Sequence, residues 1–179
     1  MSSLISSIAT EYRRYKALGE GAIAQVDDAH LARADGEGSN SIAVIVWHVA
    51  GNLSSRFTDF LTADGEKPWR HRDEEFEGRT VTRQQLLDKW EEGWRALFAA
   101  IDGLTDQDLQ ATVTIRGQEL AVHDALHRSL AHTSYHVGQI VYVAKSFVGE
   151  PAWRSLSIPR GQSEAVNRKT ARDAGRTPA

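Results

Sequence analysis

The chain has 179 residues, with 21 Lys and Arg against 24 Asp and Glu and a formal charge of -3, so it lacks the basic footprint that contact with nucleic-acid phosphates requires. It contains no cysteine, which excludes disulfides and thiolate metal sites and leaves histidine and carboxylates as the only strong protein ligands. The length suits a single domain with a hydrophobic core of its own.

From the N-terminus, Leu4, Ile5, Ile8, Tyr12, Tyr15, Ile23 and Val26 recur at three- and four-residue steps, and this period predicts a first helix over 3–27. The same stretch mixes charged with apolar residues and has no continuous apolar run of the kind a signal peptide or membrane span needs, so a cytoplasmic protein with no membrane partner is expected. Asn40 and Ser41 offer N-cap side chains for a second helix over 41–61, IAVIVWHVAGNLSSRFTDFL. Residues 62–81 are polar, with two glycines and a proline, and connections of such length usually carry a function. Thr82 and Gln85 then form a capping-box pattern ahead of Leu86, Leu87, Trp90, Trp94, Leu97, Phe98 and Ile101, which predicts a third helix to about Asp102.

Residues 112–122, TVTIRGQELAV, alternate around Arg116 and Gly117 and predict a short hairpin or extended turn. The fourth helix runs from Val122 to Val148, stopped by Gly149 and Pro151, and at 1.5 Å per residue is about 40 Å long. The charged, small-residue segment 166–179 is expected to be an unstructured tail, leaving one domain over 1–165. An extended crossover of about 20 residues spans roughly 66 Å, enough to return the chain to its starting end. The expected fold is all-α, a four-helix bundle in up-down-down-up order with its long crossover between helices two and three.

Seven histidines stand at 30, 48, 71, 123, 127, 132 and 136. At 100° per residue His123 and His127 share one side of the fourth helix, and His132 and His136 lie nearly opposite them, bordering its apolar arc. Imidazoles at i and i+4 can share one metal. His48, in an apolar stretch of the second helix, is a candidate third partner if helices two and four are antiparallel. Spacing is also satisfied by packed rings hydrogen-bonded to Tyr135, Asn52, Gln139 or backbone. His30, His71, His123 and His127 are read as surface, capping or packing residues, and Trp90 and Trp94 as core or dimer contacts.

WHVAGNL on helix two and, about 80 residues on, LAHTSYHVGQIVYVAK on helix four resemble the DinB-like superfamily of four-helix-bundle metalloproteins. That superfamily contains bacillithiol- and mycothiol-dependent transferases and metal-dependent hydrolases, and the likeness covers roughly residues 3–150. The resemblance implies that His48, His132 and His136 form a metal triad, with zinc or nickel as the metal. The loop and tail look like those of a branch of uncertain function. There Trp69, Arg70, Arg72, Asp73, Arg160 and Gln162 are candidates for covering the open side of the site and binding an anionic or polar small molecule. The alternative for the loop is a solvated charged segment pinned by Trp69 and Phe76.

Three functions follow as expectations: an S-transferase using a low-molecular-weight thiol cosubstrate, a metal-dependent hydrolase using water, or a non-catalytic metal-binding homodimer. Because imidazole ligands must be neutral, metal affinity is expected to fall below about pH 6.5.

Overall fold

The computed structural model describes residues 3–173. Helix α1 spans Leu4–Ile23, opened by Ser3, whose hydroxyl accepts from the Ser6 N–H. Its apolar stripe, with Ile5, Ile8, Tyr12 and Ile23, is buried. The helix does not run on to residue 27 as its periodicity suggested. Arg83 supplies the reason: its guanidinium donates to the carbonyls of Ile23 and Val26 and pairs with Asp28, so carbonyls at the helix end find a side-chain partner instead of a further turn. A single short helix, α2, Asp28–Leu31, follows.

Helix α3, Ile42–Phe57, is capped by Ser41, which accepts from the Val44 N–H at 3.2 Å. Twelve of its residues are buried, so it is covered on more than one side. The helix stops four residues short of the expected boundary because Thr58 is extended and Asp59 has a φ of 50°. Phe60 nevertheless reaches the core, its ring 5.0 Å from that of Phe57; the turn satisfies the apolar period without helix. Residues 72–76 of the long connection form a single 3₁₀ turn, Arg72–Phe76, packed on α3.

Helix α4, Arg83–Ile101, begins with the expected capping box of Thr82 and Gln85 and buries Trp90, Trp94 and Leu97 completely. Gly93 lets α3 and α4 touch backbone to backbone: a Cβ there would lie 2.6 Å from the Ala50 Cα. After a 3₁₀ turn at Asp106–Gln110, strands β1, Thr112–Ile115, and β2, Gln118–Ala121, pair antiparallel with Ile115 opposite Gln118. Arg116 and Gly117 form the two-residue turn, both at positive φ, 55° and 70°, as a tight right-twisted hairpin demands.

Helix α5, Val122–Val148, has the expected boundaries. A last helix, α6, Ser163–Asp173, occupies the start of the segment expected to be unstructured; the rest of that tail, 174–179, lies outside the described residues. The described residues of α6 are mostly exposed.

Four long helices meet around one hydrophobic core. Helix α1 packs along α5, α3 along α4, and α3 also contacts α5. The Leu4 and Ile5 N–H groups donate to Asp106, just past the end of α4. Arg83 at the start of α4 holds the end of α1, Tyr12 donates to the Leu126 carbonyl in α5, and Gln25 bonds the Arg154 backbone beyond α5. Among the described residues no helix is long and apolar enough to cross a membrane.

Candidate metal centre

His48 projects from the middle of α3, and His132 and His136 lie one turn apart on α5. Packing of α3 on α5 brings the rings together, with centroids 5.2 Å apart for His48 and His132, 4.7 Å for His48 and His136, and 4.6 Å for His132 and His136. One nitrogen of each lies within 4.8 Å of the others. The Nε2 atoms of His48 and His132 are 3.2 Å apart; two nitrogens about 2.0–2.1 Å from one tetrahedral zinc ion are separated by roughly 3.3 Å. His48 and His136 are buried and His132 half-buried.

The hydrogen bonds select the tautomers. His48 Nδ1 donates to Glu75 Oε2 at 2.8 Å, which leaves its Nε2 unprotonated and facing the Nε2 of His132. His136 Nδ1 donates to the Gln139 Oε1 at 2.8 Å, and its Nε2 is buried with no partner. A buried acceptor without a donor costs about 1–3 kcal/mol, so the cluster is incomplete as a set of hydrogen-bonded rings. A divalent cation fits this donor set. In metal sites a ligating histidine characteristically donates its other N–H to a carboxylate or amide, and Glu75 and Gln139 stand in those places.

Glu75 comes from the 3₁₀ turn and is buried. Arg70, whose side chain is only 2% exposed, grips it with Nε on Oε1 at 2.8 Å and Nη2 on Oε2 at 2.9 Å. Burial alone would raise the Glu75 pKa, but the hydrogen bonds from His48 and Arg70 and the guanidinium charge outweigh it and hold the carboxyl below its ordinary range. The row Arg70, Glu75, His48 therefore orients the ring and keeps it a good donor. Gly51, one turn after His48, makes room for it: a Cβ there would lie 2.1 Å from Glu75 Oε1. Replacing Gly51 by alanine is expected to push the carboxylate off His48 and weaken zinc binding by about 10-fold or more, as read by competition with a zinc chelator.

Burial pushes His132 down to about 3, helped by His136 and His48. Burial likewise lowers His136 to about 4, partly offset by its bond to Gln139. Both rings are thus held below the ordinary imidazole range, which favours the neutral form a metal ligand requires. Folding stability responds with a definite sign. Below about pH 6.5 histidines in the unfolded chain take up protons that folded His132 and His136 refuse. The metal-free protein is thus at full strength above that pH and loses stability as pH falls through the window from about 6.5 to the folded values. Urea midpoints at pH 7, 6 and 5 should fall with a slope approaching about two protons, and His132→Gln should remove about one of them.

A cavity of about 250 Å³ opens beside the rings, lined by His48, His132, Asn52, Ser129, Tyr135 and several arginines. Of the residues expected to cover it, Arg70 and Arg72 do line it. Trp69 is 52% exposed and lies in a separate groove with Trp47 and Glu74. The Asp73 side chain is in solvent. Arg160 and Gln162 are exposed and take no part in the lining, because the chain after α5 packs near α1 through Trp153, Leu156 and Ile158. His71 is on the surface. His123 donates its Nδ1–H to the Leu109 carbonyl at 2.9 Å, His127 is exposed, and His30 stacks on Phe147. Glu75, Arg56, Arg116 and Arg128 escaped the sequence reading, and no local pattern separates Glu75 from its neighbour Glu74.

No curated protein and no solved structure matches the chain. A family model does, over residues 2–162, a stretch that includes all three histidines, Glu75 and the hairpin and ends where α6 begins. The chain belongs to that family, described as protein of unknown function, DUF1572.

Proposed function

We propose that His48, His132 and His136 hold one divalent metal, zinc or nickel, and that the protein is a DinB-like metal-dependent enzyme of the low-molecular-weight-thiol S-transferase type. The observation that carries this reading is the convergence of three ring nitrogens, one buried and partnerless, beside an open cavity. Bound there, the metal would supply Lewis acidity that favours the thiolate of a coordinated thiol at neutral pH. Glu75 and Gln139 orient the rings that hold it. With no cysteine in the chain, the thiol has to be a cosubstrate. Tyr135, exposed at the rim with its ring 5.3 Å from His132, stands beside the space a substrate would enter.

In this reading the long helices form an up-down-down-up bundle. Support comes from the contacts at their ends: Arg83 joins the start of α4 to the end of α1, and Asp106 joins the end of α4 to the start of α1. The DinB-like resemblance implies the same order.

An assay of zinc- or nickel-loaded protein on an electrophilic substrate, with and without low-molecular-weight thiols, tests the proposal. Turnover that needs both metal and thiol is expected. Turnover independent of thiol would favour the hydrolase, with water as nucleophile, and full metal loading with no turnover on either assay would leave a metal-binding bundle.

A further inference from the structure

Five arginines line the cavity beside the histidines: Arg56 from α3, Arg70 and Arg72 from the long connection, Arg116 from the hairpin tip and Arg128 from α5. No carboxylate is among the lining residues, although the chain as a whole is acidic. The acids behind them do not balance the charge. Glu66 is shared between Arg56, at 3.2 Å, and Arg116, at 2.7 Å. Glu75 serves Arg70 and His48 together, and Arg72 faces only the solvent-exposed Asp73, at 3.5 Å. Among the described residues Arg128 has no ion-pair partner within 4.0 Å.

A charge run is ordinarily a solvated face, but two of these guanidinium groups are withdrawn from water: Arg70 is 2% and Arg56 12% exposed. Arg70 Nη1 is buried without an acceptor, and so is the hydroxyl of Ser129, which lines the same cavity. Burial, together with the charges of Arg70 and Arg116, lowers the pKa of Arg56, so the groups repel one another as they stand. Donors without acceptors and more cations than anions call for the same thing, a ligand bearing oxygens of negative charge.

The hairpin is built for this at some expense to its backbone. Arg116 occupies a positive-φ turn position, φ 55°, where Asn, Asp or Gly is the usual choice. Asp64 holds it there by accepting from the N–H groups of both Arg116 and Gly117, at 2.8 and 2.7 Å. Glu66 steadies the guanidinium over the cavity mouth. A disfavoured residue retained in so supported a turn points to a use for its side chain.

We propose that this cavity binds a small organic oxyanion, a carboxylate or a phosphate ester, through Arg56, Arg70, Arg116 and Arg128, with its uncharged end toward the histidines. The volume, about 250 Å³, lies below the roughly 300–1,000 Å³ of pockets for drug-sized ligands and suits a small metabolite. Phe57, Phe60 and Ile115 supply the apolar wall. Only the orientation of the ligand rests on the metal reading; the anion grip stands on the arginines.

Calorimetric titration of metal-free protein at low ionic strength, with inorganic phosphate in one arm and succinate in the other, tests the proposal. At least one of the two is expected to bind, with the tighter one identifying the oxyanion class. Arg116→Asn combined with Arg128→Gln should weaken it by 10-fold or more, and Arg168→Gln on α6 should not. Arg116→Asn alone should leave the melting temperature at or above wild type, since it relieves the turn, so weakened binding in that variant is not a folding defect. No binding of either anion at roughly 10 mM, or equal affinity in the double variant and wild type, would overturn the proposal. A parallel zinc titration separates the two readings. Anion binding without zinc binding upholds the arginine grip and removes the metal; zinc binding without anion binding does the reverse.

Discussion

Protein purified without an affinity tag, with His48 and His132 both replaced by alanine, retains no zinc or nickel, whereas wild type holds about one ion per chain. The expectation follows from the donor count. The three rings are contributed by two helices, and the double substitution leaves His136 alone, too few donors to hold a divalent cation against water. Elemental analysis reads the loss, and thermal melting reads its consequence. Zinc at about 1,000 times its dissociation constant stabilises a folded protein by about 4.1 kcal/mol relative to a chain that does not bind it. Wild type should therefore melt at a higher temperature with zinc than without, and the double variant should melt at one temperature in both. Equal metal content in the two proteins would place any ion elsewhere.

Glu75→Ala carries the second large effect, on metal affinity and on folding together. Removing the carboxylate takes away the acceptor that fixes His48 with Nε2 unprotonated; loss of such an oriented partner typically weakens metal binding by about 10–100-fold. It also leaves the Arg70 guanidinium, 2% exposed, with neither of its carboxylate bonds. Breaking a buried ion pair by removing one partner costs about 3–5 kcal/mol. Glu75→Gln separates the two effects: the amide oxygen can still accept from His48, while the charge opposite Arg70 is gone. Urea unfolding and chelator competition on the three proteins should rank wild type above Gln and Gln above Ala in both measures. A Glu75→Ala variant with wild-type zinc affinity would show that the carboxylate plays no part in orienting the ring.

The sequence made the helices legible where caps and apolar period agreed. Thr82 and Gln85 opened α4 as expected, and Val122 and Val148 bound α5 as read. Boundaries failed where a tertiary contact supplied what the helix would have supplied. Arg83 takes carbonyls at the end of α1 from 60 residues away, and Phe60 reaches the core through a turn that mimics helical spacing. The same distinction governs the site. The i, i+4 pair and the phase of α5 separated His132 and His136 from His123 and His127, and the structure brings the first pair to His48.

Glu75 was not legible, because Asp73, Glu74 and Glu75 are consecutive acids and only the seat of the 3₁₀ turn on α3 decides which is buried. Gly51 was its one trace in the chain, a small residue one turn from a histidine, whose reason is the carboxylate that lies against it. The arginines converge from four elements far apart in sequence, and no linear pattern records that. Of the polar residues expected over the site, Arg70 and Arg72 line the cavity because the connection folds back on α3. Arg160 and Gln162 lie after α5, where the chain turns toward α1.

X-ray absorption at the zinc edge of tag-free, zinc-loaded protein reads directly whether His48, His132 and His136 share one ion. Three imidazole nitrogens at about 2.0–2.1 Å with at least one further light-atom ligand are expected, with loss of imidazole scattering in His132→Ala. A spectrum with fewer than two imidazoles per zinc, or one unchanged by His132→Ala, would contradict the shared site.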